Sequence, residues 1–169
     1  MIAPDEPLWF RADKAGLQPG NLATHSERPL NGRLVVYATS RLEVARAFAA
    51  QRGGGSVYQI DPIDPTGVFR YDDPDYPPSS GAGCIAFDDA SIVRVVEARV
   101  DMTRDAAWQL MSRHFLWPDQ TRMYDDEGYP TASPQMRAAG IDASALRHLG
   151  PYCEPGAVCT AATNLCRCA

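Results

Sequence analysis

Short apolar segments separated by turn residues organise the first hundred residues of the chain. β-branched and aromatic residues cluster in five of these segments, and each is predicted to form a strand. The five predicted strands are residues 8–12, 33–38, 56–60, 84–87 and 91–100. The region from residue 61 to residue 83 is rich in Pro, Asp and Ser and is predicted to be mostly loop.

One amphipathic stretch follows the second predicted strand. Its apolar side chains recur at helical spacing, at positions Leu42, Val44, Ala45, Phe48 and Ala49. Thr39 or Ser40 is predicted to cap this helix, and the glycines at 53–55 are predicted to end it. Short strands around one good helix indicate an α+β architecture with few helices rather than a doubly wound sheet. No GxGxxG follows a strand, so a Rossmann site is not supported.

The rest of the chain has weaker patterns. Thr103 is predicted to open a helix over residues 104–115, and shorter helices are predicted at 134–139 and 143–149. We therefore predict a core at residues 1–115 and a C-terminal extension at residues 116–169. The extension would carry a Cys-rich tail that packs on the core or trails from it.

Composition is ordinary for a globular protein, with 169 residues, 45% hydrophobic and 22% charged. No apolar run approaches the ~20 residues of a membrane span, and residues 1–6 do not resemble a signal peptide. We therefore expect no membrane association. The net charge of −5 counts against a broad nucleic-acid surface. It leaves room for a local basic groove, because arginine supplies nearly all the positive charge and Lys14 is the only lysine.

Four of the five cysteines crowd the last 17 residues, at Cys153, Cys159, Cys166 and Cys168. Disulfides are favoured there, since the tail has neither a CxxC pair nor a histidine to hold zinc. A metal site and unpaired thiols are the alternatives. Disulfides would imply an oxidising destination. Cys84 stands apart and is predicted to be a small buried apolar residue. The three histidines share no ligand spacing, so we expect no metal.

Two stretches resemble the cholera-toxin-like branch of the ADP-ribosyltransferases. Residues 8–13, Leu-Trp-Phe-Arg-Ala-Asp, are similar to its opening strand, in which an arginine follows an aromatic residue. Residues 36–40, Val-Tyr-Ala-Thr-Ser, are similar to its aromatic-x-Ser-Thr-Ser strand before a helix, although only Thr-Ser is present here.

Further segments resemble the rifamycin-inactivating ADP-ribosyltransferases. They are residues 14–21, the Val-Tyr at 36–37, the strand at 56–62, the Asp-Asp-Pro-Asp at 72–75 and the strand at 92–100. The shared order of these motifs over residues 8–100 carries the resemblance. It implies an ADP-ribosyltransferase-like split β-sandwich that uses NAD as co-substrate and needs no metal.

The sequence departs from both groups at the residues expected to act. The histidine of the rifamycin enzymes corresponds to Arg11, which follows the toxin-like pattern. The toxin-like branch also has a catalytic glutamate before its last strands, whereas no glutamate lies between Asp61 and Asp89. The resemblance therefore implies a catalytic aspartate, with Asp73 the first choice and Asp75 the second.

The resemblance implies a role for each remaining candidate. Arg11, with Ala12 beside it, would hold the pyrophosphate of NAD through paired hydrogen bonds. Tyr37 would stack on the cationic nicotinamide ring. Thr39 or Ser40 would hydrogen-bond the ribose or orient the carboxylate.

Each candidate also has a structural explanation. Arg11 could pair with Asp13, and Tyr37 could be core packing. Thr39 and Ser40 are good helix caps, and Asp is common in proline-rich turns.

The leading functional prediction is a mono-ADP-ribosyltransferase whose acceptor is a protein, nucleic acid or small molecule. An NAD glycohydrolase on the same fold and a catalytically inactive interaction module are the alternatives. The cysteine tail favours a secreted or delivered bacterial toxin domain, which would imply an immunity protein, over a cytoplasmic enzyme.

Overall fold

The computed structural model describes residues 7–63 and 70–152. The chain divides into two compact units, Met1–Met102 and Thr103–Ala169. The boundary predicted after residue 115 stays a prediction, although the helix that follows Thr103 falls in the second unit. The four cysteines of the predicted disulfide tail lie outside the described residues.

The first unit is an open antiparallel sheet whose described strands number six. The elements in chain order are β1 (Trp9–Asp13), β2 (Val36–Thr39), α1 (Leu42–Gln51), β3 (Ser56–Pro62), β4 (Arg70–Asp72), a 3₁₀ turn (Pro78–Ser80), β5 (Cys84–Phe87) and β6 (Ala90–Glu97). Their order across the sheet is β4-β5-β2-β1-β3-β6. The predicted α+β class with few helices is therefore confirmed.

Alternation along the strands forms a hydrophobic core on one face of the sheet. The buried cluster includes Trp9 of β1, Val36 and Ala38 of β2, Tyr58 and Ile60 of β3, Ile85 and Phe87 of β5, and Ile92 of β6. These positions are two residues apart within each strand, as one face of a pleated strand requires. Helix α1 packs against β1, β2 and β3 through small buried side chains, among them Val44, Ala45 and Ala49.

Strands β1 and β2 are paired at one register position, where Phe10 lies opposite Thr39. Each of them pairs more extensively with its other neighbour, β1 with β3 from Trp9 to Asp13 and β2 with β5 along its whole length. The sheet therefore opens between β1 and β2 beyond this pair. We call this opening the fork.

The start of α1 differs from the prediction. The residue before the helix is Arg41, which makes no side-chain capping bond. Thr39 is still part of β2, and its hydroxyl donates to the carbonyl of Ala82 at 2.7 Å and accepts from the N–H of Arg41 at 3.0 Å. The prediction that Thr39 or Ser40 caps the helix is wrong, because Thr39 instead joins β2 to the segment before β5. Gly53 and Gly54 end the helix with positive φ angles, as predicted.

The second unit contains α2 (Arg104–Ser112), α3 (Pro134–Ala138) and a 3₁₀ helix (Ala143–Leu149). Thr103 caps α2 as predicted, since its side chain accepts from the N–H of Ala106 at 3.2 Å. Phe115, Tyr124 and Tyr152 meet edge to face, with ring centroids 5.0–6.3 Å apart. Among the described residues, no helix has the length and apolar character needed to cross a membrane.

Candidate functional site

A cavity of about 190 Å³ lies at the fork between β1 and β2. Six of the seven predicted site residues line it, namely Arg11, Ala12, Tyr37, Thr39, Asp73 and Asp75. Ser40 does not line it, and its N–H donates to the carbonyl of Gly83 at 3.0 Å. Residues from segments more than sixty positions apart thus share one concave surface.

Arg11 is buried and bridges the fork. Its Nη1 donates to the backbone carbonyl of Tyr37 at 2.7 Å, its Nη2 donates to the carbonyl of Thr24, and its Nε donates to Asp13 Oδ2 at 3.1 Å. These bonds use three of the five guanidinium N–H groups. Desolvation lowers the pKa of Arg11, and the adjacent Asp13 carboxylate opposes that shift. The structural role of Arg11 is therefore to hold β1 and β2 in position where they separate.

Asp13 adds further hydrogen bonds to those of Arg11 on the β1 side of the fork. Its carboxylate also accepts from the backbone N–H of Thr24 at 2.9 Å and from that of Lys14 at 2.8 Å. The segment after β1 is consequently fixed to the strand at Thr24. Ser26 and Arg28, two and four residues after Thr24, line the cavity.

Asp73 lies in the turn after β4 and is 7% exposed. Its Oδ1 accepts from the N–H of Asp75 at 2.9 Å, and the N–H of Tyr76 also bonds the carboxylate. Burial raises the pKa of Asp73, opposed by the Tyr76 N–H and by the positive charge of Arg28. A buried carboxylate with a raised pKa in a cavity is a common feature of catalytic sites.

Asp75, the second acidic candidate, forms an ion pair at the cavity rim. Its carboxylate faces both terminal nitrogens of Arg28, with Nη2 2.8 Å from Oδ1. Both side chains are about half exposed. The two predicted catalytic aspartates therefore have different environments, one desolvated within the cavity and one charge-paired beside solvent.

Aromatic side chains form a second wall of the cavity. Phe48 of α1 and Tyr76 meet edge to face with ring centroids 5.5 Å apart. Tyr37 lines the same cavity, and its pKa is raised by desolvation and by the negative charge of Asp73. Phe10 and Ala12 of β1 line the cavity as well. Such walls suit a flat ring, since aromatic faces attract cationic rings.

Cys84 also lines the cavity, but its thiol is unreactive. Desolvation and the nearby Asp73 raise the pKa of its thiol to about 12, opposed by a hydrogen bond with the Thr39 side chain. The thiolate is the nucleophilic form of cysteine, so Cys84 is a poor nucleophile near neutral pH. It is buried, as predicted.

Several residues of this site were not predicted from the sequence. Arg28, Arg52, Phe48 and Tyr76 all line the cavity. Phe48 was assigned to the apolar face of α1, and the two arginines lie in turn regions without any motif. Arginine enrichment was the one available signal, and it does not single out positions. In the described residues, no group of three or more His, Cys, Asp or Glu could hold a metal ion.

Comparisons with protein-family models, with curated proteins and with solved structures find no match for this chain.

Proposed function

We propose that the chain is an NAD-dependent mono-ADP-ribosyltransferase whose fork cavity binds the nicotinamide end of NAD. The convergence of Arg11, Tyr37, Thr39 and the turn at residues 73–75 on one cavity carries this proposal. These residues come from separate segments, and the resemblance to ADP-ribosyltransferases selected them for one site. The fork in the antiparallel sheet would then correspond to the split of that family's β-sandwich.

The cavity volume suits part of NAD rather than the whole molecule. About 190 Å³ is less than the ~300–1,000 Å³ of typical pockets for drug-sized ligands. The nicotinamide and its ribose would occupy the cavity, and the diphosphate would lie at the rim. Tyr37, Phe48 and Tyr76 supply aromatic surface for the cationic nicotinamide ring.

The reaction requires stabilisation of positive charge on the ribose. When the glycosidic bond breaks, its electron pair leaves with neutral nicotinamide, and the sugar C1 becomes cationic. The acceptor atom then bonds to C1 and loses its proton. The Asp73 carboxylate, held by the N–H groups of Asp75 and Tyr76, is the group we assign to stabilise the cationic sugar. Arg11 maintains the opening between the strands in which the bond is cleaved.

Nicotinamide release is the direct test. We would incubate the protein with NAD, alone and with protein, nucleic-acid and small-molecule acceptors, and quantify free nicotinamide. Asp73→Asn should lower release by about 10²–10³-fold, the usual cost of removing one electrostatic contact to a transition state. Asp72→Asn is the matched control, because Asp72 is the exposed neighbour on β4 and does not line the cavity. It should retain wild-type release.

The outcomes separate the alternatives. Release that needs an acceptor supports the transferase, whereas equal release into water assigns an NAD glycohydrolase. No release with any acceptor would reject both enzymes in favour of an interaction module. The acceptor, delivery as a toxin and an immunity partner stay predictions from the sequence.

A further inference from the structure

The ion pair between Arg28 and Asp75 has a two-point geometry. Nη2 of Arg28 lies 2.8 Å from Oδ1 of Asp75, and Nη1 contacts Oδ2. The planar guanidinium thus presents a pair of parallel donors to two oxygens on one centre. A phosphate group offers the same pair of oxygens, and a diphosphate carries two negative charges where the Asp75 carboxylate carries one. The two Arg28 nitrogens that contact Asp75 are therefore the kind of donor pair that also binds phosphate.

The backbones of both partners are held by hydrogen bonds. The N–H of Arg28 donates to Ser26 Oγ at 3.2 Å, and the N–H of Ser26 donates to the carbonyl of Val35 at 2.8 Å. On the other side, the N–H of Asp75 donates to Asp73 Oδ1. These bonds hold the backbone of Arg28 beside the cavity without any contribution from Asp75, and the guanidinium that extends from it contacts Asp75.

The ion pair can be exchanged at little cost. Its side chains are 58% and 46% exposed, and ion pairs in such surroundings add little net stability. Arg11 is the opposite case, because its side chain is buried and two of its acceptors are backbone carbonyls. Of these two arginines, Arg28 is the one that can release its partner and bind a ligand.

We propose that Arg28 binds a phosphate group at the rim of the cavity, and that Asp75 masks it in the free protein by acting as an internal competitor. If the proposed function holds, the phosphate belongs to the diphosphate of NAD, so that part of the inference rests on the proposed function. Anion binding by Arg28 does not. Arg52 also lines the cavity and adds positive charge on the same surface.

Inorganic pyrophosphate is the probe that tests this, because it needs no catalysis. We would measure its dissociation constant by calorimetric titration at low ionic strength for the wild type, Asp75→Asn, Arg28→Gln and the double variant. Asp75→Asn keeps the shape of the side chain but removes the competing charge, so it should bind about tenfold tighter. Arg28→Gln should bind about tenfold weaker. The gain from Asp75→Asn should largely disappear in the Arg28→Gln background.

Arg33→Gln is the matched control, since Arg33 is an exposed, ion-paired arginine of the same unit that does not line the cavity. Its affinity for pyrophosphate should equal that of the wild type. The inference is overturned if Asp75→Asn binds no tighter, if its gain persists without Arg28, or if Arg33→Gln weakens binding as much as Arg28→Gln. Nicotinamide release assayed on the same proteins keeps the two proposals apart. If the pyrophosphate affinities follow the expected pattern but no nicotinamide is released, the proposal that Asp75 masks Arg28 is kept and the transferase is rejected.

Discussion

The Nη1 of Arg11 donates to the backbone carbonyl of Tyr37 at 2.7 Å, across the point where β1 and β2 cease to pair. A side chain here takes the place of the ladder hydrogen bond that strand separation removes, so the carbonyl is satisfied while the fork stays open. The same guanidinium reaches Thr24 and Asp13. Arg11 therefore both links the strands at the fork and lines the cavity.

Loss of Arg11 should destabilise the first unit strongly. Arg11→Ala leaves the buried Asp13 carboxylate without its charge partner and the Tyr37 and Thr24 carbonyls without a donor. Breaking one side of a buried pair costs about 3–5 kcal/mol. Urea denaturation should show this loss, whereas the control Arg33→Ala, at an exposed pair, should change stability by less than about 1 kcal/mol. Equal denaturation midpoints for the two variants would contradict the role of Arg11 in holding β1 and β2 at the fork.

The raised pKa of Asp73 should make stability depend on pH in a defined direction. A carboxyl whose pKa is higher in the folded state binds more protons folded than unfolded, so stability falls as pH rises from its ordinary value through the raised value. Asp73→Asn removes this cost while its amide oxygen can still accept the N–H bond of Asp75. The variant should therefore have a higher Tm than the wild type at pH 7. The difference should vanish below the ordinary carboxyl pKa.

Thermal denaturation of both proteins across this pH range would check the effect. Asp72→Asn again serves as the control, and its Tm difference from the wild type should not show this trend. An Asp73→Asn protein less stable than the wild type at neutral pH would mean that the ionised carboxylate stabilises the turn.

Cys84 should resist thiol reagents in the native protein. Its pKa of about 12 leaves very little thiolate at pH 8, and its side chain is buried. Iodoacetamide labelling followed by peptide mass spectrometry should find Cys84 unmodified in the folded protein and modified in urea. Native labelling at the rate of a free cysteine would show that the cavity admits the reagent and lowers the thiol pKa.

Gly55 should be intolerant of a side chain for a purely steric reason. A Cβ at this position would lie 2.8 Å from the backbone carbonyl oxygen of Asp13, and the φ angle of Gly55 is outside the left-handed region. Gly55→Ala should therefore push β3 away from β1 and cost about 1–3 kcal/mol. Gly20→Ala is an informative comparison, because its Cβ would meet open space and only its positive φ is strained. Crystal structures of both variants should show displacement of Asp13 only in Gly55→Ala; an unmoved Asp13 in a fully stable Gly55→Ala would contradict the argument.

Local sequence patterns determined most of the elements. β1, α1, β3, β5 and the helices after Thr103 were predicted within a few residues, because apolar periodicity and terminal Gly, Thr or Pro residues act over one or two turns of chain. The predicted strand at 33–38 begins only at Val36, and Leu34 is exposed. An apolar side chain at position 34 fits a strand pattern, but pairing with β5 starts at Val36.

Only the tertiary structure decided the form of the site. Strand β4 was missed within the predicted loop, because three residues at a sheet edge have no pattern and are ordered by pairing with β5. The sequence marked Arg11 and the aspartates at 73 and 75 as candidates, but it could not show that Arg11 is committed to backbone carbonyls while Arg28 faces Asp75 at the rim. Those partners are 26 and 47 positions away. Contacts at such separations depend on how the sheet closes around the fork, and no local spacing encodes them.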